Sequence, residues 1–352
     1  REGLSKKVLE LFELPIPPLA EQKRIVAKVD ALMALCDRLE AKQQHRKTIH
    51  LNLHKASFTA LTEAQDADDF NDRWHHIVKN FDTLITTPES ITTLRQTILD
   101  LAIRGKLTKQ DPNDEPASEL LRRIETEKTR LVKEKVIRRE KRLPSISTDE
   151  TQGALPQGWA WVRLGDLANE VATGPFGSMV HRSDYIRGGI PLVNPKHMID
   201  GRIVEDESVT VNSRMAIKLA SYKLTNGDIV MARRGEVGRT AVVTEREDGW
   251  LCGTGSFVLK FQNEISRGFI RSLFLSQSVR RYLAGKAVGT TMVNLNHGIL
   301  KKLVVGLPPA TEQRQIVAKV DALMALCDRI ESGLRNAEGL SSASATALIS
   351  GG

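Results

Sequence analysis

Basic and amide side chains stand in glycine-bounded loops of the second half of the sequence. Gly174-Pro175-Phe176-Gly177-Ser178 leads into His181 and Arg182, and Lys196 and His197 follow a strand predicted over 190–193. Arg233-Arg234-Gly235, with Arg239, follows another predicted over 228–232, and Gly289-Thr290-Thr291 leads into Asn294, Asn296 and His297. Loops of this kind on a rigid scaffold can present side chains to a groove of duplex DNA. Arg and Lys match O6 and N7 of guanine, Asn matches N6 and N7 of adenine, and a Thr methyl meets that of thymine. The candidate DNA-reading residues are therefore Ser178, Arg182, Lys196, Arg233, Arg234, Arg239, Thr291 and Asn294. Taken singly, each is as readily a turn residue satisfied by its own backbone. The set gains weight from the charge of the chain, where 51 Lys and Arg against 43 Asp and Glu give a formal +8, a balance that favours a polyanionic partner.

Catalytic constellations are harder to find. An adenine-methylating pocket needs Asn or Asp, two prolines and an aromatic in succession; Asn194-Pro195-Lys196-His197 lacks the second proline and the aromatic. No G-x-G-x-x-G follows a strand, and Gly235-Glu236-Val237-Gly238-Arg239-Thr240 has neither the spacing nor the lysine of a phosphate loop. His50 and His54 share a helix face without a third ligand, which reads as a solvated surface and not a metal site. His75 and His76 are equally unsupported. Cys36, Cys252 and Cys327 form no C-x-x-C pair and are odd in number, which fits free thiols in a reducing cytoplasm. No apolar run approaches the roughly 20 residues of a bilayer span. The first residues, Arg1-Glu2-Gly3-Leu4, read as the interior of a longer protein. A binding protein that is not an enzyme and holds no cofactor or metal is the expectation.

The elements that position these loops are set by an internal repeat. Residues 25–38, IVAKVDALMALCDR, recur letter for letter as 316–329, 291 positions later. Each copy follows a double proline and a Glu-Gln pair, Pro17-Pro18 with Glu21-Gln22 and Pro308-Pro309 with Glu312-Gln313, so each is a strand exit, a rigid turn and a helix opening. Ile25, Val29, Leu32, Cys36 and Leu39 step by four and three, as do Ile316, Val320, Leu323, Cys327 and Ile330, which is the spacing of a coiled-coil seam. One copy alone is as well explained by ordinary core packing. Two copies flanking a separate domain point to helices that pair with each other, antiparallel, or with those of another chain.

Between the repeats, Leu94, Ile98, Leu101 and Ala102 predict a short helix, and 117–142 a long charged one whose basic face is either solvated or in contact with phosphates. Residues 143–153 read as a linker. From 155 to 305 short β-rich runs at 159–164, 190–193, 208–211, 228–232, 240–244 and 256–261 alternate with glycines. An amphipathic helix over 267–283 follows. The fold class is α+β: a globular mixed α/β domain attached to long helices.

The sequence resembles the specificity subunits of type I restriction-modification systems. The resemblance is carried by Leu14-Pro-Ile-Pro-Pro-Leu-Ala-Glu-Gln-Lys-Arg-Ile-Val and its second version from Leu307, by Leu94-Arg-Gln-Thr-Ile-Leu-Asp-Leu-Ala-Ile-Arg-Gly-Lys-Leu-Thr with Gln110-Asp-Pro-Asn-Asp-Glu-Pro, and by Leu155-Pro-Gln-Gly-Trp-Ala-Trp-Val-Arg-Leu-Gly-Asp. It implies a remnant of an upstream recognition domain over 1–14, a conserved spacer helix over 15–65, a helical connector and basic linker over 66–154, one complete target recognition domain over 155–305 and a second spacer helix over 306–352, with the two spacer helices packed as an antiparallel coiled coil. It also implies partners: double-stranded DNA, methylation subunits that use S-adenosylmethionine, and ATP-driven restriction subunits. Self-association through the helices is a further expectation, because family members normally carry two recognition domains. The competing reading is a coiled-coil scaffold with only non-specific affinity for DNA.

Overall fold

Leu19–Thr62 forms one helix, α1, in a computed structural model that describes residues 15–64, 67–151, 153–236, 238–286 and 295–350. The expected domain remnant over 1–14 lies outside the described residues. At about 1.5 Å per residue the 44 residues of α1 span about 66 Å. Ala67–Lys79 (α2), the single turn Phe81–Leu84 (α3) and Pro88–Ile103 (α4) follow, then Ala117–Lys133 (α5). Ala310–Ser350, the last helix, is α11.

The two repeat copies start alike and end in different surroundings. The amide of Gln22 donates to the Pro17 carbonyl at 2.7 Å, and that of Gln313 to the Pro308 carbonyl at 3.0 Å, so the proline turn is built the same way twice. In α11, Ile316, Val320 and Cys327 are buried, with Leu323 and Ile330 packed at their edge, and the helix lies against α4. In α1, Ile25, Val29, Leu32 and Leu39 are 48–58% exposed, and Cys36 is exposed too. The expected pairing of one seam with the other is therefore not what buries the second copy. A four-three spacing announces an apolar stripe without naming what covers it.

α4 also covers the C-terminal half of α1, where Phe58 and Leu61 meet a core with Ile91, Ile98 and Leu101. That contact corrects the reading of His54 as surface: it is 1% exposed, lies against the Phe58 ring at 4.7 Å, and its Nε2 has no partner among the described residues. Burial without compensation disfavours the charged imidazole and pushes its pKa down to about 4. The Arg104-Gly105-Lys106 turn closes the same joint. Arg104 Nη1 donates to the Thr62 carbonyl at 2.9 Å and Lys106 Nζ to that of Ala64 at 2.7 Å, supplying donors to the last carbonyl of α1 and to the turn just beyond it. Gly105 sits between them at φ +67°, where a Cβ would also come within 2.8 Å of the Trp159 ring.

α5 stops earlier than the predicted 142. Lys135 takes φ +61°, and the amides of Lys135 and Val136 bond back to the carbonyls of Val132 and Leu131. This is the left-handed closure that ends helices, here on a lysine where glycine is usual. Residues 136–147 then run without helix or strand.

The sheet region opens with β1 (Ala160–Arg163), which pairs antiparallel with β12 (Val304–Leu307) beside the single helical turn α6 (Leu164–Leu167). β2 (Glu170–Thr173), β3 (Tyr185–Ile186), β4 (Ile190–Val193), β5 (Met198–Ile199), β6 (Arg202–Ile203) and β7 (Thr210–Val211) precede the short helix α7 (Ser213–Lys218). β8 (Ile229–Ala232), β9 (Thr240–Val242), β10 (Leu251–Cys252) and β11 (Ser256–Lys260) complete the sheets. The central sheet has the order β2-β11-β8-β9, a second one β10-β4-β7-β3, and β5 and β6 form a hairpin. Side chains alternate across the central sheet as a period of two requires. Phe257, Leu259, Ile229 and Met231 face the helices, whereas Val258, Val230 and Ala241 face a second core with Val193, Met198 and Cys252. The helix predicted over 267–283 is two, α8 (Arg267–Leu275) and α9 (Gln277–Lys286), because Ser276 adopts ψ 147° between them. α10 (His297–Lys302) leads into β12.

One carboxylate joins these parts. Glu312, 1% exposed in the first turn of α11, accepts from Trp159 Nε1 at 2.8 Å, Thr108 Oγ1 at 2.9 Å and Gln110 Nε2 at 2.8 Å. Gln313 beside it accepts the Ser266 amide at 2.9 Å, so the Glu-Gln pair fastens α11 to the loop between α4 and α5, to Trp159 and to the start of α8 at once.

Candidate nucleic-acid interface

Strands β2, β4 and β8 end, and β11 begins, at one rim. The Gly174 amide donates to the Ser256 carbonyl at 2.9 Å, Arg233 to Gly255 at 2.9 Å, Gly253 to Val193 at 3.0 Å and Leu295 to Arg233 at 3.1 Å. Five segments are thus stitched to each other by backbone bonds, so their side chains project from a common frame. Close approach requires the glycines: a Cβ on Gly174 would lie 2.2 Å from the Gly253 carbonyl oxygen, and one on Gly253 2.2 Å from Asn194 Oδ1.

Lys196, Arg233, Arg234 and Arg239 come together on this rim. Arg239 Nη1 reaches the Pro195 carbonyl at 3.4 Å, next to Lys196, and a Cβ on Gly255 would touch both Pro195 and the Arg234 side chain. Their readiness differs. Lys196 is paired with Asp206 at 2.6 Å, a contact that holds the Asp206 carboxyl well below its ordinary range. Arg239 is paired with Glu236 through Nε at 3.0 Å and Nη2 at 2.5 Å. Arg233 is half-buried with its guanidinium 5.5 Å above the Phe257 ring, and desolvation together with the neighbouring Arg234 lowers its pKa. Arg234 is exposed and has no carboxylate partner among the described residues.

Ser178 and Arg182 lie on the loop that leaves the rim at Gly174 toward β3. Both are exposed, and the loop is tied down where Tyr222 Oη donates to Met179 Sδ at 3.6 Å. Thr291 and Asn294 lie outside the described residues, although Leu295 beyond them is anchored on Arg233. Sequence reasoning missed the polar groups behind the rim. Asn194 Oδ1 and Thr240 Oγ1 are buried without a hydrogen-bond partner among the described residues, His197 Nε2 faces Asp206 Oδ2 at 3.6 Å, and Arg280 approaches Glu236 at 3.5 Å. In the sequence, Asn194 stood out only as part of a failed catalytic motif, whereas Lys196 and His197 were also read as loop residues facing DNA. Phe176, 70% exposed at the tip of its glycine-flanked loop, was likewise legible only as a turn.

Burial pushes the Cys252 thiol up to about 12, which removes it as a nucleophile. No group of three or more His, Cys, Asp or Glu among the described residues is placed to share a metal ion, and no described helix is long and apolar enough to cross a membrane.

Comparison with known proteins adds the family. The pattern described as "Type I restriction modification DNA specificity domain" matches residues 1–47 and 156–337, so the first repeat copy falls within a separate match from the second. The chain is 34% identical over 348 residues to the type I restriction enzyme EcoEI specificity subunit of Escherichia coli, covering 96% of this chain and 58% of that protein. It is 34% identical over 336 residues to the EcoAI specificity subunit of Escherichia coli, covering 92% and 55%. The crystal structure of the HsdS subunit from Thermoanaerobacter tengcongensis aligns with 92% of this chain and 57% of that one, at 19% identity and a TM-score of 0.42. The chain spans little more than half the length of the curated relatives it matches.

Proposed function

The chain belongs to the family of type I restriction-modification DNA specificity domains, and from that premise we propose that it reads one half-site of duplex DNA through the strand-end rim and performs no catalysis itself. The observation that carries this reading is the convergence of Lys196, Arg233, Arg234 and Arg239 on one backbone-stitched frame. Guanidinium and ammonium groups held there match base edges of the major groove, with Arg234 and Arg182 reaching bases directly and Lys196 and Arg239 exchanging a carboxylate for DNA. Residues 155–305 act as the recognition domain, 66–154 as its connector, and the helices within 15–65 and 306–352 as spacers.

Methylation subunits, which bring S-adenosylmethionine and flip the target adenine, and ATP-driven restriction subunits supply the chemistry in the cytoplasm. The repeat supports a second domain. α1 carries the same stripe that α4 covers in α11, and Glu21 is exposed where Glu312 is buried. A second recognition domain, or a second copy of this chain, covers the α1 seam in the working assembly.

The scaffold reading draws on the same exposed stripe and on the carboxylates that already hold Lys196 and Arg239. Selecting bound sequences from random duplexes separates the two: DNA reading requires enrichment of a short motif, whereas binding that falls steeply with salt on every sequence alike leaves the scaffold.

A further inference from the structure

The span between α5 and β1 carries charge of one sign outward. From Lys133 to Arg142 the sequence holds six cations, Lys133, Lys135, Arg138, Arg139, Lys141 and Arg142, against two carboxylates, Glu134 and Glu140. Both carboxylates are occupied by cations from outside that set: Glu134 by Arg130 at 2.8 Å, and Glu140 by Lys301 at 2.6 Å. All six cations are exposed, and none has an ion pair among the described residues. Uncompensated like charges repel, so an unanchored stretch of this composition would wander.

This one is anchored at both ends on the recognition domain. Before it, Lys128 Nζ donates to the carbonyls of Gly165 at 2.9 Å and Ala168 at 2.8 Å. After it, the buried Arg163 guanidinium donates to the Pro144 carbonyl at 2.7 Å and that of Ser145 at 3.0 Å, while also pairing with Glu150. Midway, the Lys301 contact lays the arm on α10, the helix that starts beside the rim through Leu295 and Arg233. From His297 to Lys301 is about 6 Å of helix axis at about 1.5 Å per residue.

We infer that residues 133–142 form a fixed cationic arm that binds the phosphate backbone of duplex DNA flanking the bases read at the rim. The inference rests on the DNA-reading proposal above and adds to it a surface that supplies affinity without sequence. Phosphate contacts set register and strength, and each releases counterions, so each adds about 0.9 to the slope of log affinity against log salt.

The experiment uses the full chain and measures duplex binding by fluorescence anisotropy across a salt series, for the wild type and the triple variant R138A/R139A/K141A. The expected result is a slope smaller by up to about 2.7, with affinity reduced by the same factor on every duplex sequence tried. The charge-keeping variant R138K/R139K/K141R retains the wild-type slope, which separates lost charge from lost fold. A wild type that binds duplex while the alanine variant keeps its slope overturns the arm and leaves base reading standing, and so does a loss confined to one sequence. A wild type that binds no duplex overturns both proposals.

Discussion

The indole Nε1–H of Trp159 donates to Oε2 of Glu312 at 2.8 Å, a buried bond between residues 153 positions apart that ties the segment entering β1 to the first turn of α11. Thr108 and Gln110 donate to the other oxygen of the same carboxylate. The first repeat copy presents Glu21 at the equivalent place, exposed.

Replacing one acceptor oxygen by an NH2 turns a donor against these donors. Glu312→Gln should therefore destabilise the chain by about 1–3 kcal/mol, the cost of leaving buried donors unmatched, whereas Glu21→Gln should change stability by less than about 0.5 kcal/mol. Urea denaturation of the two variants checks the contrast. Equal effects would mean that the carboxylate is not the joint.

His54 gives a pH dependence. Its imidazole titrates near 6.5 in an unfolded chain and is held at about 4 by burial in the fold. Between those values the unfolded chain binds the proton and the folded one does not. Stability from this group is therefore complete above about pH 6.5 and falls as pH drops toward about 4, by about 2 kcal/mol at pH 5. His54→Leu should abolish that part of the acid sensitivity in denaturation curves at pH 7.5 and 5. An unchanged difference between the two pH values would show that His54 is accessible to protons in the fold.

The three thiols should separate by reactivity. Cys36 is exposed on the α1 seam, while Cys252 and Cys327 are buried and their pKa values raised by desolvation. Native labelling with a maleimide at neutral pH should modify Cys36 alone, and the other two only in denaturant. Covering of the α1 seam by a second recognition domain or a second copy should then slow Cys36, which makes this thiol a reporter of assembly.

Much of this architecture is legible before any coordinates. The repeat, the proline turns and the period-two strands fix where helices start and which residues face inward, and they placed β4 to the residue. What escapes the sequence is what covers what. The two copies of IVAKVDALMALCDR are identical, and only tertiary neighbours make one core and the other surface. His54 misleads for the same reason, since nothing in its spacing reports that α4 lies over it. The early end of α5 was hidden because a lysine, not a glycine, takes the left-handed position at 135. The rim residues Lys196, Arg233, Arg234 and Arg239 were visible as types in loops. Their convergence depends on which strands pair, which local pattern does not encode.

The central claim is that the strand-end rim reads bases, and selecting bound sequences from a pool of random duplexes tests it most directly, with the wild type and Arg234→Ala compared at physiological salt in the presence of methylation subunits. A short enriched motif for the wild type, relaxed at a defined position in the variant at a cost of about 1–3 kcal/mol, is the outcome expected if Arg234 reads a base. Recovery of all sequences equally by the wild type, with binding that merely falls with salt, would contradict base reading and leave a scaffold that holds DNA by its phosphates.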